Sequence, residues 1–99
     1  MVEIVKSSIF DRWLSGLGDR RGRAIILARI DRLAAGNPGD AGPVGGGVSE
    51  LRIHYGPGYR VYYVPRRGNR IVVLLCGGDK SSRTRDIARA KTIVDQWKD

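Results

Sequence analysis

Arg52 and His54 stand two apart on one segment, and Arg60 and Tyr62 stand two apart on the next. Residues two apart on a strand share a face, and the Gly56-Pro57-Gly58 turn between the segments folds one back on the other. Lys80 and Arg83 follow a third, apolar segment that should pair beside them. The expected result is a concave cluster of cations with one imidazole and one phenol. Such a set suits a phosphodiester. Cleaving RNA without a metal requires a deprotonated 2′-hydroxyl, stabilised charge on the five-coordinate phosphorus, and a proton for the leaving 5′-oxygen. Arginine is shaped for the second task. Histidine serves the first or the third. A lysine crowded by arginines gives up its proton more readily than an isolated one, so a base role is open to Lys80. Tyr62 could stack on a base or donate a proton.

Each of these residues also has a structural reading. His54 can be a plain exposed strand residue, and Arg52 and Arg60 can be cross-strand partners of Glu50 and other acids. Lys80 can serve only to begin a helix. Tyr55, Tyr59 and Tyr63 read as strand packing, Trp13 and Trp97 as core, and Ser81 and Ser82 as helix caps. No Asp, Glu, His or Cys cluster has metal-ligand spacing, so neither metal nor cofactor is expected.

The elements that must carry the cluster follow from periodicity. Val2 to Val5 reads as a short first strand. Ser7 or Ser8 caps a helix with Ile9, Trp13 and Leu17 at helical spacing. Gly16 and Gly18 end it, and Asp19 caps a second helix over about 20–35 with Ile26, Ile30, Leu33 and Ala34 in one stripe. A short join makes these two helices an antiparallel hairpin. Residues 36–47, GNPGDAGPVGGG, read as a loop. Three strands come next, over 50–55, 59–64 and 71–76. The last is apolar on both faces, as expected of a central strand covered on both sides or flanked by paired strands. Gly77-Gly78 should break it, and a final helix should run from about 83 to 97 with Ile87, Ala90, Val94 and Trp97 in its stripe. The chain therefore predicts one α+β domain over 1–99 in the order β-α-α-β-β-β-α. Its sheet should be mainly antiparallel, with the helices on one face and the polar cluster on the other, open face.

Bulk composition agrees with a nucleic-acid partner. Eighteen Lys and Arg oppose ten Asp and Glu, for a net charge of +8 in 99 residues. Fourteen of the eighteen are Arg, whose planar donor fork matches phosphate oxygens. A solvated basic surface, or a patch for an acidic protein, is the alternative. The single Cys76 excludes an internal disulfide and fits a reducing cytoplasm. No apolar run approaches the roughly 20 residues needed to span a bilayer, and the first ten residues do not read as a secretory leader.

Two stretches, Glu50 to Tyr63 (ELRIHYGPGYRVYY) and Ile71 to Asp86 (IVVLLCGGDKSSRTRD), resemble the addiction-module killer proteins, the HigB-like branch of the RelE/ParE toxin superfamily. The order of elements agrees over nearly the whole chain. The resemblance implies a toxin held inactive by a cognate antitoxin, usually a helix-turn-helix protein, and a metal-independent endoribonuclease that cuts messenger RNA on the ribosome. It implies that Arg60 contacts the scissile phosphate, that Lys80 assists, and that Arg52 and His54 on the preceding strand contribute. Arg83, and Arg23 and Arg29 on the second helix, would then grip RNA. An acidic antitoxin segment could cover the same helix. The C-terminal Tyr or His of some relatives has no counterpart after Tyr63, where the chain ends Trp97-Lys98-Asp99. His54, Tyr62 or Lys80 would supply the general acid or base instead. A ParE-type gyrase inhibitor acting by binding shares the same fold. An inert basic module remains a third reading.

Overall fold

The computed structural model describes residues 1–97. Five strands form one sheet in the order β1-β5-β4-β3-β2. They are β1 (Glu3–Lys6), β2 (Ala41–Gly45), β3 (Val48–Arg52), β4 (Arg60–Arg66) and β5 (Ile71–Gly78). β1 runs parallel to β5, and every other neighbouring pair is antiparallel. The helices are α1 (Ser8–Ser15), α2 (Arg20–Ala34) and α3 (Arg83–Gln96), the last preceded by a 3-10 turn over Lys80–Ser82. The α+β class and the antiparallel-dominated sheet are as expected.

The caps are those the sequence marks. The Ser7 hydroxyl accepts from the Phe10 N–H and opens α1. The Asp19 carboxylate accepts from the Gly22 N–H and opens α2. α1 and α2 bring Phe10, Leu14, Ile26, Ile30 and Leu33 onto one face of the sheet, against Leu51, Ile53, Val61, Tyr63 and Leu74. Each buried aliphatic or aromatic side chain of this kind contributes about 1.5–3 kcal/mol.

Three expectations are corrected. The helices do not share one face: α3 lies across the opposite face, where Ala90 and Ile93 pack on Val48, Tyr62, Val64, Val73 and Leu75. The face expected to be open is therefore half covered, and Tyr62 is fully buried. The double-sided apolarity of β5 is what coverage by helices on both faces requires.

Second, the Gly/Pro-rich stretch is not all loop. Ala41–Gly45 pairs with β3 as an edge strand, with an irregularity between Pro43 and Gly45. Pro is tolerated on an edge, where a missing donor breaks no ladder.

Third, Gly77 and Gly78 do not break β5. They pair with Val61 and Arg60 of β4.

Candidate anion cleft

The β3–β4 connection, the start of β4 and the 3-10 turn after β5 meet at one end of the sheet. They enclose a cleft of about 370 Å³ lined by His54, Tyr55, Gly56, Pro57, Gly58, Arg60 and Lys80. Arg60 opens β4 opposite Gly78 and Arg52. Its Nη1 donates to the carbonyls of Gly58 (2.9 Å) and Tyr59 (3.2 Å). The residue is only 8 % exposed, so the guanidinium is fixed rather than free to sweep.

The backbone at Lys80 is fixed by a different device. The Asp79 carboxylate accepts from the Ser81 and Ser82 N–H groups, and Ser82 Oγ accepts from the Asp79 N–H, a reciprocal capping box. The Lys80 N–H also meets the Pro57 carbonyl at 3.4 Å. Gly58, with φ of +76°, sits between the two cations. A Cβ there would lie 3.3 Å from Lys80 Cβ and 3.5 Å from Arg60 Nη1. Its missing side chain lets Arg60 and Lys80 approach one point.

His54 is 71 % exposed in its side chain, and its Nε2 pairs with Asp40 Oδ2. Asp40 lies just before β2, and Arg52 Nη1 donates to its other oxygen at 2.8 Å. Pairing with His54 first, and with Arg52 next, holds the Asp40 carboxyl below the usual carboxylate range. Arg52 Nε also donates to Glu50 at 3.0 Å. Arg83 reaches Glu50 from α3 through Nε and Nη2, at 3.1 Å each.

Of the site residues expected from sequence, the structure brings Arg60, Lys80 and His54 together around one cleft. Arg52 and Arg83 stand beside it, joined through Glu50. Tyr62 does not reach it. Its ring is fully buried under α3, its hydroxyl lies buried without a hydrogen-bond partner, and burial pushes its pKa well above the usual phenol value. A stacking or proton-donating role for Tyr62 is thus corrected to a core role.

Arg29 is also placed elsewhere. Its guanidinium donates to the carbonyls of Arg52, Pro38 and Asp40, clamping the segment that leads into β2. Arg23 lies half-buried on α2 and takes no part in lining the cleft. The α2 arginine tied to the cleft is Arg21, whose guanidinium lies 5.9 Å from the Tyr55 ring centre.

Asp40, Glu50 and Tyr55 were not singled out as site residues by sequence. Asp40 gave no signal, because its approach to Arg52 and His54 depends on the edge strand hidden in a Gly/Pro-rich stretch. Cys76 is buried, with burial pushing its thiol pKa up to about 12, so it is not a reactive group. Among the described residues, no His, Cys, Asp and Glu side chains gather into a metal-holding group, and no helix is long and apolar enough to cross a membrane.

Asp19, Asp40 and Asp79 are all held below the ordinary carboxyl pKa, with hydrogen bonds from Gly22, His54 and Ser81 as the leading causes. As pH falls, the unfolded chain takes up these protons first. The stability they contribute is therefore full above the ordinary value of about 4 and is lost as pH drops below it. Urea midpoints should hold steady from pH 7 to about pH 5 and fall below about pH 4. Asp79→Asn, which keeps an N-capping oxygen, should show a shallower fall. An equal fall in the variant would remove Asp79 from this account.

Arg60, held by two backbone carbonyls, and the exposed Lys80 thus line one cleft on a basic α+β domain. The chain belongs to the phage-derived Gp49-like family (DUF891), whose match covers residues 12–96 and so includes every residue of the cleft. That family is commonly tied to toxin–antitoxin modules. A protein of Haemophilus influenzae described as uncharacterized is 47 % identical over 95 residues, which are 96 % of this chain and 95 % of that protein.

Proposed function

We propose that the protein is the toxin of a type II toxin–antitoxin system, a HigB-like member of the RelE/ParE superfamily that cuts messenger RNA on the ribosome without a metal. The observation that carries this reading is the convergence of Arg60, Lys80 and His54 on one cleft. Its partners are the message in the ribosome and a cognate antitoxin, expected to be of the helix-turn-helix type. Its place of action is the cytoplasm.

The chemistry assigns each group a task. The scissile phosphate sits against Arg60 and Lys80, whose charges stabilise the extra negative charge of the five-coordinate phosphorus. The 2′-oxygen gives up its proton and bonds to phosphorus. The bond from phosphorus to the 5′-oxygen breaks, and that oxygen takes a proton. His54 carries one of these transfers, and solvent water carries the other. Its Nε2 is engaged by Asp40, so the proton is exchanged at Nδ1, and Asp40 orients the ring. The cut leaves a 2′,3′-cyclic phosphate and a 5′-hydroxyl.

Purified protein mixed with programmed ribosomes tests the reading. Cleavage should occur, and a message with 2′-deoxyribose at the cut nucleotide should resist it by at least about 10³-fold, since the attacking nucleophile is gone. Equal cleavage of the deoxy message would remove the 2′-oxygen mechanism.

A further inference from the structure

Glu50 is the most buried carboxylate among the described residues, only 1 % exposed. It lies on the sheet face covered by α3, and Arg52, Arg60 and Arg83 surround it. Arg52 Nε is 3.0 Å from Oε1, Arg83 Nη2 is 3.1 Å from Oε1, and Arg60 Nε is 4.0 Å from Oε2. Arg60 Nε is itself buried and makes no hydrogen bond. A carboxylate costs several kcal/mol to bury. An apolar residue at this position would fill the core more cheaply, so the anion calls for a reason beyond packing.

We propose that Glu50 is a positioning residue for the anion cleft. It holds Arg60 by charge at 4.0 Å rather than by a hydrogen bond, and it ties down Arg52 through Nε and Arg83 through Nε and Nη2. The proposal rests on the nuclease reading and adds to it. Without the carboxylate, the guanidiniums repel one another and spread toward any polyanion nearby. RNA would then find more positive charge but a less fixed one. Glu50 thus lowers affinity for the RNA backbone and raises the rate of the reaction at one phosphate.

This makes a signed prediction for Glu50→Gln, which keeps size and removes charge. Binding of a 2′-O-methyl RNA oligonucleotide, read by fluorescence anisotropy, should be equal or tighter. Its salt dependence should steepen by about 0.7 in log–log slope, the increment for one more phosphate contact on a single strand. Single-turnover cleavage on saturating programmed ribosomes should fall by about 10²-fold. Glu50→Asp, which keeps the charge and shortens the reach, should recover part of the rate. Parallel loss of binding and cleavage would reduce Glu50 to a structural role and overturn the proposal, as would unchanged values for both.

Arginine Nε–H resonances of the unaltered protein give a second test that needs no variant. The Arg52 and Arg83 signals should be protected from exchange, and should remain so when the 2′-O-methyl RNA is bound. Their loss on binding would mean that the guanidiniums leave Glu50 for RNA, and the proposal would fail. Should the unaltered protein bind RNA but cut no message, the nuclease reading fails alone, and these resonances still decide the role of Glu50.

Discussion

On the proposed nuclease reading, Arg60→Ala should lower single-turnover cleavage of message by about 10²- to 10³-fold, and Arg60→Lys should recover little of that loss. Removing one preorganised donor from a developing oxyanion has an effect of this size. Two features place Arg60 near the upper end. Its guanidinium is fixed by the carbonyls of Gly58 and Tyr59, so no reorganisation is needed when the phosphate arrives. It also faces the same cleft as Lys80, so the two charges act on one group. Lysine keeps the charge but lacks the planar fork that bonds two carbonyls and still presents an edge. The fold should survive, because Glu50 retains Arg52 and Arg83 as partners. The lost hydrogen bonds cost about 1–2 kcal/mol, visible as a lower urea midpoint with an unchanged slope. A variant that cuts at the parent's rate would remove Arg60 from the chemistry.

Gly77→Ala should destabilise the fold by about 3 kcal/mol, the upper range for overpacking. For a domain of this size that is roughly 12–20 °C in Tm. The cause is the Trp13 ring, which lies directly on the Gly77 backbone. A Cβ there would stand 2.3 Å from two atoms of the ring and 2.7 Å from a third. Trp13 cannot simply swing away. It packs against Phe10, with ring centres 5.8 Å apart, and meets Tyr59 edge-on at 6.3 Å. Tyr59 in turn donates from its hydroxyl to Asp19, the cap of α2. A methyl group on β5 therefore disturbs α1, the β3–β4 connection and the start of α2 together. Gly18→Ala is the matched control, since nothing lies within 4 Å of a Cβ there. It should change stability by less than about 0.5 kcal/mol. Comparable melting of both variants would discard the close-approach explanation.

The Gly77–Trp13 contact marks the limit of what the sequence discloses. Gly77-Gly78 reads locally as a strand breaker, because local propensity is all that a sequence displays. The reason for glycine is long-range: Trp13 presses on one residue, and Asp86 on the other. The edge strand β2 escaped for the same reason. Ala41–Gly45 has weak strand propensity, and only pairing with Val48–Leu51 makes it a strand. Alternation along β3 and β4, by contrast, was legible. It correctly separates Leu51, Ile53, Val61 and Tyr63 from Glu50, Arg52, Arg60 and Tyr62.

What alternation could not supply was the cover on the second face. The stripe Ile87, Ala90, Val94 and Trp97 predicts that α3 packs somewhere but not on which side. That ambiguity left Tyr62 assigned to an open surface that α3 in fact covers. Arg60 and Lys80 line one cleft because both sit at strand ends, which the β3–β4 turn and the Asp79 cap bring together. The carbonyls that Arg29 meets were not legible, because a helical wheel shows only which face a cation leaves by.

The account depends on one phosphate of a message resting between Arg60 and Lys80. Primer extension on transcripts after brief induction tests this most directly, with the parent and Arg60→Ala compared side by side. New 5′ ends within translated regions should accumulate with the parent and be nearly absent with the variant, at equal levels of folded protein. Growth arrest by the parent with intact transcripts, or the same cut pattern from both proteins, would contradict it.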